Sequence, residues 1–133
     1  MKQEAYFKTV KKYIEKLNYR IAFEDDKERV FIVDSKDGII RNLVIGCSTP
    51  LLLMEQYLFD LTDNSSPEVL KKLLQKNRDI VHGAFALDES GTKVIFRDTL
   101  QIENLDLNEL EGSLESLKLL LKEFKEDLSF SPN

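Results

Sequence analysis

One histidine and one cysteine bound the chemistry this chain can do with its own side chains; His82 and Cys47 are the sole residues of their kinds. His82 has no Cys, Asp or Glu beside it at metal-ligand spacing, and a zinc site built from His and Cys needs at least three good ligands. A thiol–imidazole pair, or His82 with an acid, would suit a small hydrolase or redox enzyme. That reading needs a fold that brings distant segments into one cleft. The plainer assignments are His82 as a structural residue at the start of a strand and Cys47 as a small buried hydrophobe. Asp25-Asp26 pairs two carboxylates, but adjacent acids in a tight turn are solvated. Asp34-Ser35-Lys36-Asp37-Gly38 has the outline of a calcium loop, yet Val33 stands where the first acid belongs, and turn chemistry explains the run better. Gly38, Gly46, Gly83, Gly91 and Gly112 are scattered, so no phosphate-cradling loop is spelled out. The expectation is no catalytic residue, no metal ligand set and no cofactor.

Composition narrows the partners. The 133 residues carry 19 basic and 24 acidic side chains, a formal net charge of -5. That balance argues against a wide nucleic-acid grip, which needs clustered Lys and Arg to displace counterions. The charge is uneven, however. Residues 1–20 hold Lys2, Lys8, Lys11, Lys12, Lys16 and Arg20 against Glu4 and Glu15, while residues 101–127 hold eight acids against three lysines. Solvated helix faces account for both. A sharper reading has the two ends attract each other, within a chain or between protomers, and a further alternative lets the Lys-rich first helix touch nucleic acid. No apolar run approaches a membrane span, and Met1 is followed at once by a charged, helix-like pattern rather than a secretory segment. With one thiol and no disulfide partner for it, the expected setting is the cytoplasm. No linker or repeat divides the chain, so residues 1–133 are expected to form a single domain.

The elements that must position any site follow from periodicity. Tyr6, Val10, Tyr13, Ile14 and Leu17 mark an amphipathic helix, with Asn18 suited to its left-handed stop. A period-two run follows at Tyr19–Glu24, then apolar stretches at Val30–Val33 and Leu43–Cys47. Leu51–Leu61 fits a helix stripe (Leu51, Met54, Leu58, Leu61) or one face of a strand (Leu51, Leu53, Tyr57, Phe59, Leu61), and periodicity does not choose between them. Ser66 and Pro67 open a second helix whose buried side would be Val69, Leu70, Leu73 and Leu74. Val81–Asp88 and Lys93–Asp98 form a hairpin around Glu89-Ser90-Gly91-Thr92. Asp106 caps the last helix, with Glu109 completing a capping box. Its stripe is Leu107, Leu110, Leu114, Leu117, Leu121, Phe124 and Leu128. The order suits an α+β fold, an antiparallel sheet of about five strands with three helices packed on it, α-β-β-β-(β)-α-β-β-α.

Three strand segments are apolar at successive positions, hence on both faces: Val30-Phe31-Ile32-Val33, Leu43-Val44-Ile45 and Leu51-Leu52-Leu53-Met54. Three helices comfortably cover one face. Either they split across both, or a partner buries part of the second.

The run His82-Gly83-Ala84-Phe85-Ala86-Leu87-Asp88-Glu89-Ser90-Gly91 continues through Val94-Ile95-Phe96-Arg97-Asp98-Thr99-Leu100 to Glu103-Asn104-Leu105-Asp106. It resembles the YbjN-like proteins of bacteria, which share the type III secretion chaperone-like fold of the Tir chaperone group. In that group a G-x-F-x-L-D-x-x-G hairpin precedes an acid-capped, leucine-rich last helix. The resemblance implies an α/β sandwich with helices on an antiparallel sheet, often dimeric and without enzymatic activity. It implies an extended segment after Pro50, which favours strand for Leu51–Leu61. It also implies that Gly83, Phe85, Leu87, Asp88 and Gly91 are fold-signature residues that set hairpin geometry and core packing. The function it suggests is a non-enzymatic protein-binding module, chaperone-like or regulatory, acting as a homodimer on a protein client, with no small-molecule substrate. The large apolar groups on the two-faced strands, Phe31, Val33, Leu53, Tyr57 and Phe59, are the expected partner-binding residues.

Overall fold

A computed structural model describes residues 2–62 and 67–126 of the chain. In chain order the elements are α1 (Lys2–Lys16), β1 (Tyr19–Asp25), β2 (Val30–Ser35), β3 (Leu43–Ser48), β4 (Leu51–Asp60) and α2 (Pro67–Lys76). A 3-10 turn (Asn77–Asp79), β5 (Ala84–Leu87), β6 (Lys93–Gln101) and α3 (Leu107–Glu126) complete it. The strands form one sheet in the order β1-β2-β3-β4-β6-β5, every neighbouring pair antiparallel. The architecture is α+β as expected, with six strands rather than about five. The added strand is Leu51–Asp60, which is extended throughout.

Local chemistry sets the boundaries. Asn18 ends α1 with φ 65°, a left-handed conformation that its short polar side chain tolerates. Asp106 Oδ1 accepts the Glu109 N–H at 2.7 Å, and Glu109 Oε1 accepts the Asp106 N–H at 3.4 Å, so the capping box of α3 forms in both directions. The Ser66 cap, Leu128 and the tail from Ser129 lie outside the described residues.

All three helices lie on one face of the sheet. Beneath them run three sets of cross-strand partners, Phe31–Ile45–Met54–Asp98, Val33–Leu43 and Gln56–Phe96–Phe85, all buried. Phe7, Val10 and Ile14 of α1, Leu73 of α2, and Leu110, Leu114 and Leu117 of α3 close over them. Phe7, absent from the α1 stripe expected from spacing, stacks on Phe31 with centroids 4.3 Å apart and planes 7° from parallel.

Two expectations change. The hairpin is shorter at its start, because Gly83 turns the chain with φ 83° and only Ala84–Leu87 pair with β6. On α2 only Leu73 is buried; Leu70 and Leu74 are exposed, because the helix sits at the β5 margin with no further strand beneath it.

Candidate functional site: the uncovered sheet face

The face opposite the helices has no covering layer among the described residues. Its rows read Phe23–Ile32–Val44–Glu55–Arg97–Ala84, then Val30–Gly46–Leu53–Thr99, then Tyr57–Ile95–Ala86. Phe23 and Tyr57 are about half exposed, at 52% and 51%, and Val44 and Leu51 are exposed as well. Apolar groups of this size, adjacent on a sheet, form a continuous surface that water wets poorly. The alternative of helices split over both faces is therefore not what this chain does.

Polar groups cross the surface and border one end of it. Glu55 and Arg97, directly opposite in register, form an ion pair at 3.5 Å. At the β4–β6 end, Lys93 Nζ lies 2.9 Å from Asp60 Oδ1, which also accepts the Tyr57 hydroxyl at 3.1 Å. The Lys93 ammonium bond holds the Asp60 carboxyl below the usual range, with the Tyr57 hydroxyl helping. Tyr57 moves the other way, raised by desolvation and then by its bond to Asp60. The pairing fixes the Tyr57 ring, with Lys93 5.5 Å from its centroid.

Of the five residues expected to meet a partner, Leu53 and Tyr57 lie on this face. Phe31, Val33 and Phe59 do not. Strand alternation turns Phe31 and Val33 under the helices, where both are fully buried. Phe59 follows a bulge: Tyr57 pairs with Ile95 and Phe59 with Val94, so Leu58 is the extra residue and parity shifts after it. Phe59 is thereby turned inward onto Phe124 of α3, with ring centroids 5.6 Å apart. Those three residues are buried in the core. In their place the open face presents Phe23, Ile32, Val44 and Leu51. Their signal was already in the sequence, since they are the alternate positions of the same two-faced strands.

A second apolar surface lies at the β5 edge. A groove of about 250 Å³ runs between α2 and β5, lined by Leu70, Leu73, Leu74, Phe85, Leu87 and Val94. Leu74 is 70% exposed.

The hairpin residues take separate parts. At Gly83 a Cβ would lie 2.3 Å from Phe96 Cζ, so the glycine lets the chain cross that ring. Phe85 is buried, whereas Leu87 is exposed along the groove, contrary to the core packing expected of it. Asp88 Oδ1 accepts the Ser90 hydroxyl at 2.7 Å and the Lys93 N–H at 3.2 Å, and Gly91 supplies φ 73° for the turn.

No catalytic pair assembles from the two reactive residues. Cys47 is buried in β3, and burial pushes its thiol up to about 11 against a small opposing effect of Arg29. His82 is exposed and leans on Gly112 of α3, its Nε2 3.6 Å from where a Cβ would be. Among the described residues no three His, Cys, Asp or Glu side chains cluster as metal ligands. Nor is any described helix long and apolar enough to cross a membrane. On α1, Lys8, Lys12 and Lys16 form one exposed line at helical spacing. Two ion pairs tie α1 and α3 to the sheet and its turns, Lys11 to Glu24 at 3.0 Å and Lys118 to Asp37 at 3.1 Å.

Comparison with known proteins gives the arrangement a context. The CesT_Tir_1 family model matches residues 3–131. A chain of the HopA1-SchA chaperone–effector complex superposes with a TM-score of 0.69 at 16% identity, covering 96% of this chain and 98% of that one. YbjN from E. coli superposes with a TM-score of 0.67 at 11% identity, covering 90% and 91%. No curated protein matches the chain.

Proposed function

Since the chain belongs to the CesT_Tir_1 family, with a type III secretion chaperone-like fold, we propose that it is a non-enzymatic, chaperone-like protein-binding module. It works as one unit, in the cytoplasm. The observation that carries the reading is the uncovered apolar sheet face, where Phe23, Val44, Leu51, Leu53 and Tyr57 stand together around the Glu55–Arg97 pair. A partner polypeptide lying extended across that face buries apolar side chains, and the ion pair fixes its register. One of the superposed structures is itself a chaperone–effector complex, which is in keeping with a protein client. The Leu70–Leu74–Leu87 groove at the other margin takes a second copy of the chain, giving a homodimer whose client faces stay open.

The experiment compares captured polypeptides. Wild type, a Leu53→Asp/Tyr57→Asp double variant and Leu74→Glu are each used as bait, and what is retained is identified and its affinity measured. Open-face substitutions are expected to weaken the shared client about 30-fold or more, the range of an interface hot spot. Leu74→Glu should instead give a monomer by light scattering. Equal client binding by wild type and the double variant contradicts the reading.

The Lys8–Lys12–Lys16 line favours one alternative, a nucleic-acid contact through α1. It requires binding that falls steeply with salt and disappears when the three lysines become Ala.

A further inference from the structure

β5 is a short edge strand, four residues long, that lacks charge, proline and bulge as edge protections. Its sequence is Ala-Phe-Ala-Leu. Such edges are templates for a strand of another molecule. At the opposite edge, β1 carries Arg20, Glu24 and Asp25, and a bulge interrupts its register between Ile21 and Phe23.

What occupies the β5 edge is a side chain. Asn77 Oδ1 accepts the Phe85 N–H at 2.8 Å, and Asn77 Nδ2 donates to the Phe85 carbonyl at 3.3 Å. These are the two bonds that a neighbouring antiparallel strand makes with one residue. The ladder shows which positions matter. The Asp88 N–H reaches the Lys93 carbonyl at 3.0 Å, so alternation turns the backbone groups of Ala84 and Ala86 inward to β6 and those of Phe85 and Leu87 outward. Any strand added here must bond to Phe85, and Asn77 already holds it. Asn77 is itself anchored in the 3-10 turn after α2, one helical turn beyond the buried Leu73.

We propose that the Asn77 carboxamide is an edge lock, which keeps β5 of one copy from pairing with β5 of a second copy. The strand suits itself as a partner. In an antiparallel two-fold pairing centred on Ala86, Phe85 and Leu87 of one copy face Leu87 and Phe85 of the other. The same approach would cover the exposed Leu70, Leu74 and Leu87 side chains. With the lock closed, copies meet through side chains alone; with it open, main-chain pairing is added. The inference stands on the two Asn77 bonds and does not depend on what the open face binds.

Sedimentation velocity over a dilution series tests it on the full chain. Asn77→Ala should associate with itself at least about tenfold more tightly than wild type. Adding Leu87→Pro, which removes an outward N–H without breaking a bond to β6, should abolish that gain and take association to the wild-type level or below it, since the Leu87 side chain also lines the groove. Equal association of Asn77→Ala and wild type overturns the proposal, as does a gain that Leu87→Pro leaves in place. Hydrogen exchange on wild type is decisive even if Asn77→Ala does not fold. At dilutions where the chain is a monomer the Phe85 amide must be protected, and fast exchange there overturns the lock.

Discussion

Phe7 of α1 lies flat against Phe31 of β2, their ring centroids 4.3 Å apart and their planes 7° from parallel. Phe31 is fully buried and Phe7 nearly so, and the stack ties the first helix to the second strand of the sheet. Removing either ring leaves a cavity in the core that its neighbours fill only in part. Phe7→Ala and Phe31→Ala are each expected to lose about 3–5 kcal/mol in urea unfolding. Tyr57→Ala, a similarly large truncation on the open face, should move the midpoint far less. A Phe31→Ala variant as stable as Tyr57→Ala would show that Phe31 is not core.

Two glycines make opposite predictions for the same substitution. Gly83 adopts φ 83°, and a Cβ there would lie 2.3 Å from Phe96 Cζ and 3.0 Å from the Arg97 carbonyl oxygen. Gly83→Ala must move a buried ring and strain the backbone, at a cost of at least about 2 kcal/mol. Gly46 sits mid-strand on the open face with nothing within 4 Å of its would-be Cβ. Gly46→Ala should therefore gain about 0.5–1 kcal/mol, the usual cost of a strand glycine. Thermal melts of the two variants check both signs.

Acid stability depends on the turn after β2. Asp37 Oδ1 accepts the Ser35 hydroxyl at 2.6 Å and the Ile39 N–H at 3.1 Å, while Oδ2 meets Lys118 of α3. The Ser35 bond first, then the Ile39 amide and Lys118, hold the carboxyl down at about 2. Asp34, buried and bonded to the Asn42 N–H and to Arg20, is lowered as well. The unfolded carboxyl has the higher pKa, so on acidification the unfolded chain takes up the proton first. The stabilisation is complete above about pH 4 and is lost as the pH falls toward 2. Asp37→Asn should lower the melting temperature at neutral pH and flatten its decline between pH 4 and 2. An unchanged slope in that variant would remove Asp37 from the account.

Much of the local structure was legible in residue order. The Asn18 stop, the Asp106–Glu109 capping box and the Gly91 turn each depend on a few adjacent residues, whose chemistry does not wait for the rest of the fold. The open apolar face was half legible. Runs such as Val30-Phe31-Ile32-Val33 announce two apolar faces, but a run alone does not say which parity meets the helices. The bulge at Leu58 hid the rest. It reverses the parity of Phe59 with no glycine or proline to mark it, because β6 and α3 together select the inward ring.

By itself, the amino-acid order determined the alternating elements, their caps and turns, and an apolar excess beyond what three helices bury. It also determined that a lone histidine and a lone thiol would have to meet across the fold to do chemistry. Tertiary structure decided that they do not meet, that all three helices take the same face, and that the opposite face is left uncovered among the described residues. Periodicity and capping act within a few residues, whereas the side on which a helix packs is set by contacts between segments far apart in the chain. The Asn77–Phe85 pairing is of the second kind. An asparagine after a helix reads as an ordinary stop, and only the arrival of β5 beside it makes its carboxamide stand in for a strand.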